Sequence, residues 1–281
     1  MTTIAIQVLT YNHAHYIRQC LDGIVMQRTE FPFVAVVHDD ASTDGTADIV
    51  REYAERYPCI IKAIFQTENQ YSRGISPAKL AAEAVDELNP KYKCFCDGDD
   101  YWTDPEALQL QCSYLEAHPG CAVAYTRNSF LMPSGEIRHK DESYQLGQDT
   151  LEALLVRNQV PFLTAMIRMD VYREYFREVR PYEKKWVIND WAIWLYAVSR
   201  YQISFIDRET AVTRFVEDSI TRPRSLRKRL GYLKCCREIA LHFAHSNGRQ
   251  DLAGAIRKRV RKNMIQEYKD TAAGMIKWNR D

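Results

Sequence analysis

The chain has 281 residues, 46% of them hydrophobic, so it can bury a sizeable core as one large domain or two packed halves. Its 38 Lys and Arg against 37 Asp and Glu leave a formal charge of +1, which excludes the broad positive field typical of nucleic-acid binding. The start lacks a signal-peptide pattern, no 18 apolar residues run together, and the eight cysteines form no CxxC pair, so we expect a cytoplasmic protein with reduced thiols.

Strand and helix patterns alternate along the first part of the chain. Apolar runs predict strands at residues 4–9, 33–38, 59–65 and 92–96. Apolar residues recur at helical spacing in the intervening segments 16–25, 47–57 and 80–88. Strands separated by helices pair in parallel through crossovers, so we predict an α/β fold with a mostly parallel sheet flanked by helices.

Polar and acidic residues follow three of these predicted strands. The strand ends read TYN (10–12), DDASTDGT (39–46) and DGDD (97–100). In open α/β sheets, ligands bind at the carboxyl ends of the strands, so we expect the site there. The first crossover contains no glycine between residues 9 and 17, which argues against a dinucleotide-binding oxidoreductase.

The DGDD segment places three carboxylates in four positions. Such groups repel one another unless a cation neutralises them, and hard oxygen ligands suit Mg²⁺ or Mn²⁺ shared with a phosphorylated ligand. A hairpin turn is the alternative, but a helix is predicted to follow, with Thr103 and Glu106 spaced as a capping box. For residues 39–46, simple capping of a helix that begins near Thr43 remains an alternative.

Four motifs carry a family resemblance. They are IQVLTYNHAHYIRQCLDGIVMQ, VVHDDASTDGTADIV, QTENQYSRG and FCDGDDYWTDPEALQLQ, in that order. Together they resemble the nucleotide-binding half of family 2 glycosyltransferases with the GT-A fold. The resemblance implies a Rossmann-like sheet, with a nucleotide-sugar-binding half at residues 1–101, an acceptor-binding and catalytic half at 102–221, and a basic helical extension at 222–281.

The resemblance also implies an activity. The enzyme would be an inverting, metal-dependent glycosyltransferase that moves a sugar from a nucleotide diphosphate donor, most simply a UDP-sugar. The acceptor would be a hydroxyl of a glycan or lipid-linked molecule in cell-surface polysaccharide synthesis. Two alternatives stay open, namely a nucleotidyltransferase and a catalytically silent module that binds sugar nucleotides or glycans.

Site residues follow from matching positions. The resemblance implies a nucleotide-sugar site made of Thr10, Tyr11, Asn12, Asp39, Asp97, Asp99, Arg73 and Arg214. Asp39 would read the base edge, with Asp40 behind it. Asp99 and Asp100 would hold the divalent cation, Mn²⁺ or Mg²⁺. Arg73 could approach a phosphate, although a solvated surface arginine is the alternative.

The catalytic base is predicted in the segment KKWVINDWAIWLYAVSR (184–200). Apolar residues at helical spacing place Asp190 at a helix start, which resembles the family's acidic pair before an aromatic helix. Asn189 stands where an acidic residue is common. A helix cap is the alternative role for Asp190, unless Asn189 supplies that cap. Trp191 is either an acceptor-binding or a core residue, and Trp194 is expected in the core.

Two later segments complete the predicted site. Residues 161–172 resemble the family's acceptor-side strand, with Thr164 facing the acceptor. Residues 213–221 resemble a late loop in which an arginine and a histidine approach the diphosphate. Here Arg214 and Ser219 are present, and Val216 occupies the histidine position.

The C-terminal region is strongly basic. From Arg222 to Lys262 there are thirteen Lys or Arg and two acidic residues, a net charge of about +11. Leucines at helical spacing, beginning at Leu226, predict a basic amphipathic helix that lies on an anionic membrane and brings a lipid-linked acceptor close. A solvated helix that packs through its leucines is the alternative. Few aromatic residues accompany these charges, so nucleic acid is not an expected partner.

Overall fold

The computed structural model describes residues 2–140, 147, 149–184, 186–216 and 223–272. Contacts divide the chain into two compact units. The first comprises residues 1–147, 160–174 and 201–215, and the second comprises 148–159, 175–200 and 216–281. Because the units alternate along the chain, their boundaries differ from the three segments expected from sequence, and the functional division of those segments stays a prediction.

The first unit is built around one nine-stranded sheet. Its strands are β1 (Ile4–Thr10), β2 (Phe33–Asp39), β3 (Ile61–Phe65), β4 (Tyr92–Phe95), β5 (Tyr101–Trp102), β6 (Cys121–Leu131), β7 (Ile137–Arg138), β8 (Ala165–Arg168) and β9 (Gln202–Arg214). The order across the sheet is β3-β2-β1-β4-β8-β6-β9-β5, and β7 pairs with β6. Strands β1 to β4 pair in parallel, as do β6 and β9, which confirms the mostly parallel α/β sheet. Antiparallel pairs join β8 to β4 and β6, and β5 to β9.

The helices confirm the predicted alternation. They are α1 (Ile17–Val25), α2 (Thr46–Arg56), α3 (Pro77–Glu87), α4 (Ala107–Ala117), α5 (Leu151–Val156), α6 (Met169–Val179), α7 (Asp190–Val198), α8 (Leu226–Ser246) and α9 (Ala253–Ala272). The core of the first unit forms where the apolar faces of α1, α2 and α4 meet one face of the strands, because alternate strand residues point to that face and apolar residues recur every third or fourth position along the helices. Among the helices of the described residues, none has the length and apolarity to cross a bilayer.

Two helix starts differ from the sequence-based expectation. Helix α4 does not use the predicted capping box, since Glu106 at its N-cap makes no side-chain cap bond. The Asp104 carboxylate instead accepts from the Glu106 N–H at 3.0 Å. Helix α2 begins at Thr46, later than expected, and the preceding Gly45 takes a positive φ of 95°. The residues between Asp39 and Thr46 therefore form a loop at the sheet edge.

Helix α1 approaches β5 through a glycine. A Cβ at Gly23 would lie 2.7 Å from the Trp102 carbonyl oxygen and 2.9 Å from the Trp102 nitrogen. Trp102 is itself fixed, because its Nε1 donates to the Leu163 carbonyl at 3.0 Å. Only a residue without a side chain fits between this helix and strand.

The second unit is helical in its described residues. Helix α7 is buried along Trp191–Ala197, and α8 buries Cys235, Cys236, Ile239 and Phe243. Helix α9 joins α8 through an ion pair of 2.6 Å between Arg229 Nε and Glu267 Oε2. The helical C-terminal part expected from sequence is thus present.

Candidate functional site

The DGDD motif extends the parallel ladder between β1 and β4. Beyond the last paired residue of β4, the Cys96 N–H donates to the Gln7 carbonyl at 3.0 Å and the Gly98 N–H donates to the Leu9 carbonyl at 2.8 Å. These two bonds hold Asp97 and Gly98 beside the carboxyl end of β1. The expected convergence of the two strand ends is therefore present in the structure.

Gly98 allows this close approach. A Cβ at Gly98 would lie 2.8 Å from Thr10 Oγ1 and 2.9 Å from His13 Nδ1. Both of these atoms are buried and have no hydrogen-bond partner among the described residues. Burial lowers the pKa of His13, while the carboxylates of Asp99, Asp44 and Asp39 act in the opposite direction. The site therefore contains His13, which the sequence analysis missed although it directly follows the TYN segment.

Asn12, Ser42 and Asp39 form a chain of hydrogen bonds between the ends of β1 and β2. The Asn12 N–H donates to Ser42 Oγ at 2.8 Å, and the Ser42 hydroxyl donates to Asp39 Oδ1 at 2.5 Å. The other Asp39 oxygen accepts from the Ser42 N–H at 3.0 Å. Asn12 has a φ of 54°, a left-handed conformation that asparagine tolerates well. This network fixes the backbone at the edge where Tyr11 is 44% exposed.

Asp40 holds the loop that follows β3. Its two carboxylate oxygens accept from the Gln70 N–H at 2.8 Å and the Tyr71 N–H at 3.1 Å. Both donors lie at the start of a short 3-10 helix, Tyr71–Arg73. Asp40 is buried, so it supports this loop from inside the unit. In the same loop, Arg73 is exposed and pairs with Glu68, and its nucleotide-binding role stays a prediction.

Ala41 directly follows Asp39 and Asp40 and has a left-handed conformation, with φ of 62°. A Cβ in this region costs about 1–2 kcal/mol. This cost exceeds the loss of about 0.5–1 kcal/mol that glycine causes relative to alanine because its backbone loses more conformational entropy on folding. We expect Ala41→Gly to raise the free energy of unfolding by about 0.5–1 kcal/mol, measured by urea denaturation. The same exchange at the exposed helical residue Ala255 is the control, and Ala255→Gly should lower it by about 1 kcal/mol. If both variants changed the free energy of unfolding in the same direction, that result would contradict backbone strain at Ala41.

The acidic motif is half-buried. Asp97, Asp99 and Asp100 are each partly exposed, and the Asp100 N–H donates to the Asp97 carbonyl at 3.0 Å to close a turn. Burial, together with the neighbouring carboxylates of Asp99 and Asp97, raises the pKa of Asp100 well above its usual range. A cation at this motif would oppose that shift by favouring the carboxylate.

Arg214 at the end of β9 contacts the same motif. Its N–H donates to Asp100 Oδ1 at 2.7 Å, and its Nε donates to the Asp99 carbonyl at 2.9 Å. The guanidinium lies over the rings of Tyr16 at 4.7 Å and Tyr101 at 5.5 Å. The structure therefore brings Arg214 to the acidic motif, while its approach to a diphosphate stays a prediction and Ser219 lies outside the described residues.

The donor chemistry of the motif fits a hard divalent cation. Asp99 and Asp100 offer carboxylate oxygens, and Mg²⁺ or Mn²⁺ commonly takes one or two carboxylates and completes its shell with ligand phosphates and water. No group of three or more His, Cys, Asp or Glu side chains arranged around a metal position occurs in the described part of the chain.

Both predicted acceptor residues are buried and donate hydrogen bonds to backbone carbonyls. The Thr164 hydroxyl donates to the Thr126 carbonyl at 2.7 Å, and Thr164 is buried. Trp191 is also buried, and its Nε1 donates to the Leu154 carbonyl at 2.8 Å. The contact with an acceptor expected for each of them stays a prediction.

Asp190 begins α7 in the second unit. Asn158 Nδ2 donates to Asp190 Oδ2 at 3.1 Å, an interaction that sequence reasoning missed because the two residues lie 32 positions apart. Burial raises the pKa of Asp190, while the Trp191 N–H and the Asn158 amide act in the opposite direction. Asn189 occupies the N-cap position but makes no side-chain cap bond, so the expectation that it supplies the cap is wrong. Asp190 is thus a half-buried carboxyl group oriented by an amide.

Comparisons with known proteins give a consistent result. The sequence profile described as Glycosyl transferase family 2 matches residues 5–178. An uncharacterized protein of Mycobacterium tuberculosis is 36% identical over 156 residues, which are 55% of this chain and 44% of that protein. The poly(ribitol-phosphate) beta-N-acetylglucosaminyltransferase TarS of Staphylococcus aureus is 30% identical over 121 residues, 42% of this chain and 20% of TarS. The chain thus spans less than half the length of these relatives.

Solved structures share the fold. TarS residues 1–349 in complex with UDP-GlcNAc give a TM-score of 0.58 at 16% identity, with 100% of this chain and 94% of that chain covered. The mannosyltransferase PcManGT of Pyrobaculum calidifontis, in complex with GDP-Man and Mn²⁺, gives a TM-score of 0.63 at 18% identity, with 96% and 74% covered. These likenesses confirm the GT-A fold expected from the four sequence motifs.

Proposed function

Because this chain belongs to glycosyltransferase family 2, whose profile covers residues 5–178, we propose that it transfers a sugar from a nucleotide diphosphate, a UDP-sugar, with inversion at the anomeric carbon. The observation that carries this proposal is that the carboxyl ends of β1 and β4 lie side by side, with Gly98 close to Thr10 and His13. Ends of parallel strands that meet in this way are the usual place for a nucleotide. The UDP-GlcNAc bound by TarS supports the choice of donor.

Several side chains of the first unit would bind the donor. Asp39, held by Ser42, would face the base, with Thr10, Tyr11 and Asn12 around the nucleoside. Asp97 and Asp99 would lie near the ribose and diphosphate. Arg73 and Arg214 are the candidate cations for the phosphates. Of these, Arg214 has the stronger support because it already contacts the acidic motif.

A divalent cation would be held by Asp99 and Asp100. When bound, it would stabilise the negative charge that develops on the departing diphosphate. The Mn²⁺ in the PcManGT complex supports this use of a cation. The backbone N–H of Arg214 would keep one oxygen of Asp100 fixed and leave the other free for the cation.

Asp190 of the second unit would be the general base. An inverting transfer is a single displacement, so one carboxylate must take the proton of the attacking hydroxyl and no covalent intermediate is needed. Asn158 would orient this carboxylate. Thr164 and Trp191 would contribute to the acceptor side.

The acceptor would be a hydroxyl of a glycan or a lipid-linked molecule in cell-surface polysaccharide synthesis. The polymer substrate in the name of TarS supports this class of acceptor. The enzyme would work in the cytoplasm, at the inner face of the membrane, with its basic C-terminal region toward the lipid.

A thermal-stability screen tests the donor site. We expect one of UDP, GDP, dTDP and CMP, and UDP above all, to raise the Tm in the presence of Mn²⁺, since ligand at 100 times its Kd adds about 2.7 kcal/mol. The rise should shrink without Mn²⁺ and in Asp99→Asn. The variant Glu52→Gln, which changes an exposed carboxylate paired with Arg18, should keep the full rise. Absence of a rise with any nucleotide would contradict a donor site at this edge.

A further inference from the structure

Helix α9 presents a basic face to solvent. Seven exposed side chains between residues 257 and 269 share one side of the helix, whereas the exposed Asn263 lies on another side; the seven are Arg257, Lys258, Arg261, Lys262, Ile265, Tyr268 and Lys269. We call these seven residues the α9 basic face. At about 100° of rotation per residue they fall within roughly 140° of the helix circumference, so they form one continuous surface. The opposite side of the helix is buried through Ala253, Ile256 and Val260.

The five cations of this face make no ion pair with any described residue. In the described part of the chain, no carboxylate lies within salt-bridge distance of them, whereas the acidic residues of α9 have other partners. Glu267 pairs with Arg229 of α8 at 2.6 Å, and Asp270 is buried and accepts from Gln266 at 3.0 Å. The α9 basic face therefore carries positive charge that the described residues of the second unit do not compensate locally.

Two apolar side chains lie within this charged surface. Ile265 is 46% exposed and Tyr268 is 55% exposed, and both are flanked by cations on the same side of the helix. Cations alone would fit any polyanion. An aliphatic and an aromatic side chain among them gain stability when they enter the boundary between headgroups and acyl chains.

We propose that the α9 basic face binds a membrane surface that contains anionic phospholipids. The cations would contact the headgroups, and Ile265 and Tyr268 would insert just below them. The sequence pattern had pointed to α8 for this role. In the structure, however, the leucines Leu226, Leu230 and Leu233 of α8 are half-buried. Helix α9, by contrast, combines exposed apolar residues with cations that have no ion-pair partner among the described residues.

The inference rests on the proposed function for its purpose, which is to bring the enzyme to a lipid-linked acceptor. Lipid binding itself is independent of transfer and of nucleotide binding. A failure at the membrane would therefore leave the nucleotide-dependent rise in Tm intact, and a failure at the nucleotide site would leave lipid binding intact.

Vesicle sedimentation of the full chain tests the proposal. We expect binding to vesicles of phosphatidylcholine that contain about 30% phosphatidylglycerol, because this anionic lipid gives the surface a negative potential. Vesicles of pure phosphatidylcholine should bind little protein. The triple variant Lys258→Gln, Arg261→Gln, Lys262→Gln should weaken binding to these vesicles roughly 100-fold. Each cation near the surface contributes about 1 kcal/mol, and every 1.4 kcal/mol corresponds to about tenfold in the binding constant. The matched control changes three exposed cations of α8, Arg227→Gln, Lys228→Gln, Lys234→Gln, and should weaken it far less. Equal losses in the two triple variants would overturn the assignment to α9.

A second variant separates a lipid surface from a soluble polyanion. Ile265→Ser with Tyr268→Ser keeps every charge and should still weaken vesicle binding, by roughly tenfold or more. If this variant binds the vesicles as well as the unchanged protein does, and polyphosphate competes with vesicles in both, the face binds anionic polymer and the proposal is wrong. Circular dichroism and the nucleotide-dependent rise in Tm verify that each variant is folded.

Discussion

Replacing Asp190 with asparagine is expected to lower kcat for sugar transfer by about 10²–10⁴-fold, the range that a general base contributes. Asparagine keeps an oxygen that accepts hydrogen bonds at the start of α7 but cannot take a proton from the acceptor hydroxyl. The Kd for UDP, measured by calorimetry with Mn²⁺, should change by less than about threefold, since the predicted nucleotide residues lie in the other unit. Transfer at the normal rate would exclude Asp190 as the base and would favour a role in capping α7.

The pH dependence of transfer gives a second measure of the same residue. The base acts only as a carboxylate, so activity should fall as the pH drops through its pKa. Because burial raises the pKa of Asp190, the midpoint of this fall should lie at a pH above the usual aspartate pKa of about 3.9. The Asn158 amide stabilises the carboxylate, so Asn158→Ala should move the fall to higher pH. Asn189→Ala is the matched control, because that amide makes no cap bond, and it should leave the pH profile in place.

Gly23→Ala is expected to produce the largest loss of stability among the changes proposed for this chain. The added Cβ would meet backbone atoms of Trp102 at 2.7 and 2.9 Å, and backbone in a sheet moves less readily than the end of a side chain. Overpacking of this kind costs about 1–3 kcal/mol, and the obstacle here favours the upper end. Alanine gains about 1 kcal/mol from helix propensity, which leaves a net loss of about 2 kcal/mol. Calorimetry should show a Tm lower by roughly 4–8 °C.

Gly231 of α8 provides the matched control for Gly23. It is also a helical glycine, but a Cβ there would meet nothing within 4 Å. Gly231→Ala should therefore raise the free energy of unfolding by up to about 1 kcal/mol through helix propensity alone. A Tm for Gly23→Ala at or above that of the unchanged protein would show that β5 can move away from α1.

The first half of the sheet could be predicted because its signals are local. Strands β1 and β2 are largely apolar runs buried on both faces, and each is followed by a helix with a clear apolar stripe. The convergence of DGDD with the end of β1 then follows from parallel pairing. No local pattern shows that position 98 requires a glycine. That requirement arises because a Cβ at Gly98 would meet His13, a residue distant in sequence.

The second half of the sheet could not be predicted in the same way. Strands β6 and β9 pair in parallel over a long distance in sequence, and their register shifts near Arg127, which interrupts the alternation that identifies a strand. The contact of Arg214 with Asp100 spans 114 positions and follows from no local pattern of the sequence. For α4, the spacing of Thr103 and Glu106 fitted a capping box, yet the carboxylate of Asp104, which lies between them, accepts the Glu106 N–H.

The alternation of the two units along the chain has a consequence during synthesis. The strands that surround the predicted nucleotide site are complete once residue 215 has left the ribosome. Helix α7, which begins with Asp190, packs on α8 and is made before it. The nascent chain could therefore acquire a folded nucleotide-binding edge while the surroundings of the candidate base are still unfinished, so catalytic competence would come last in translation.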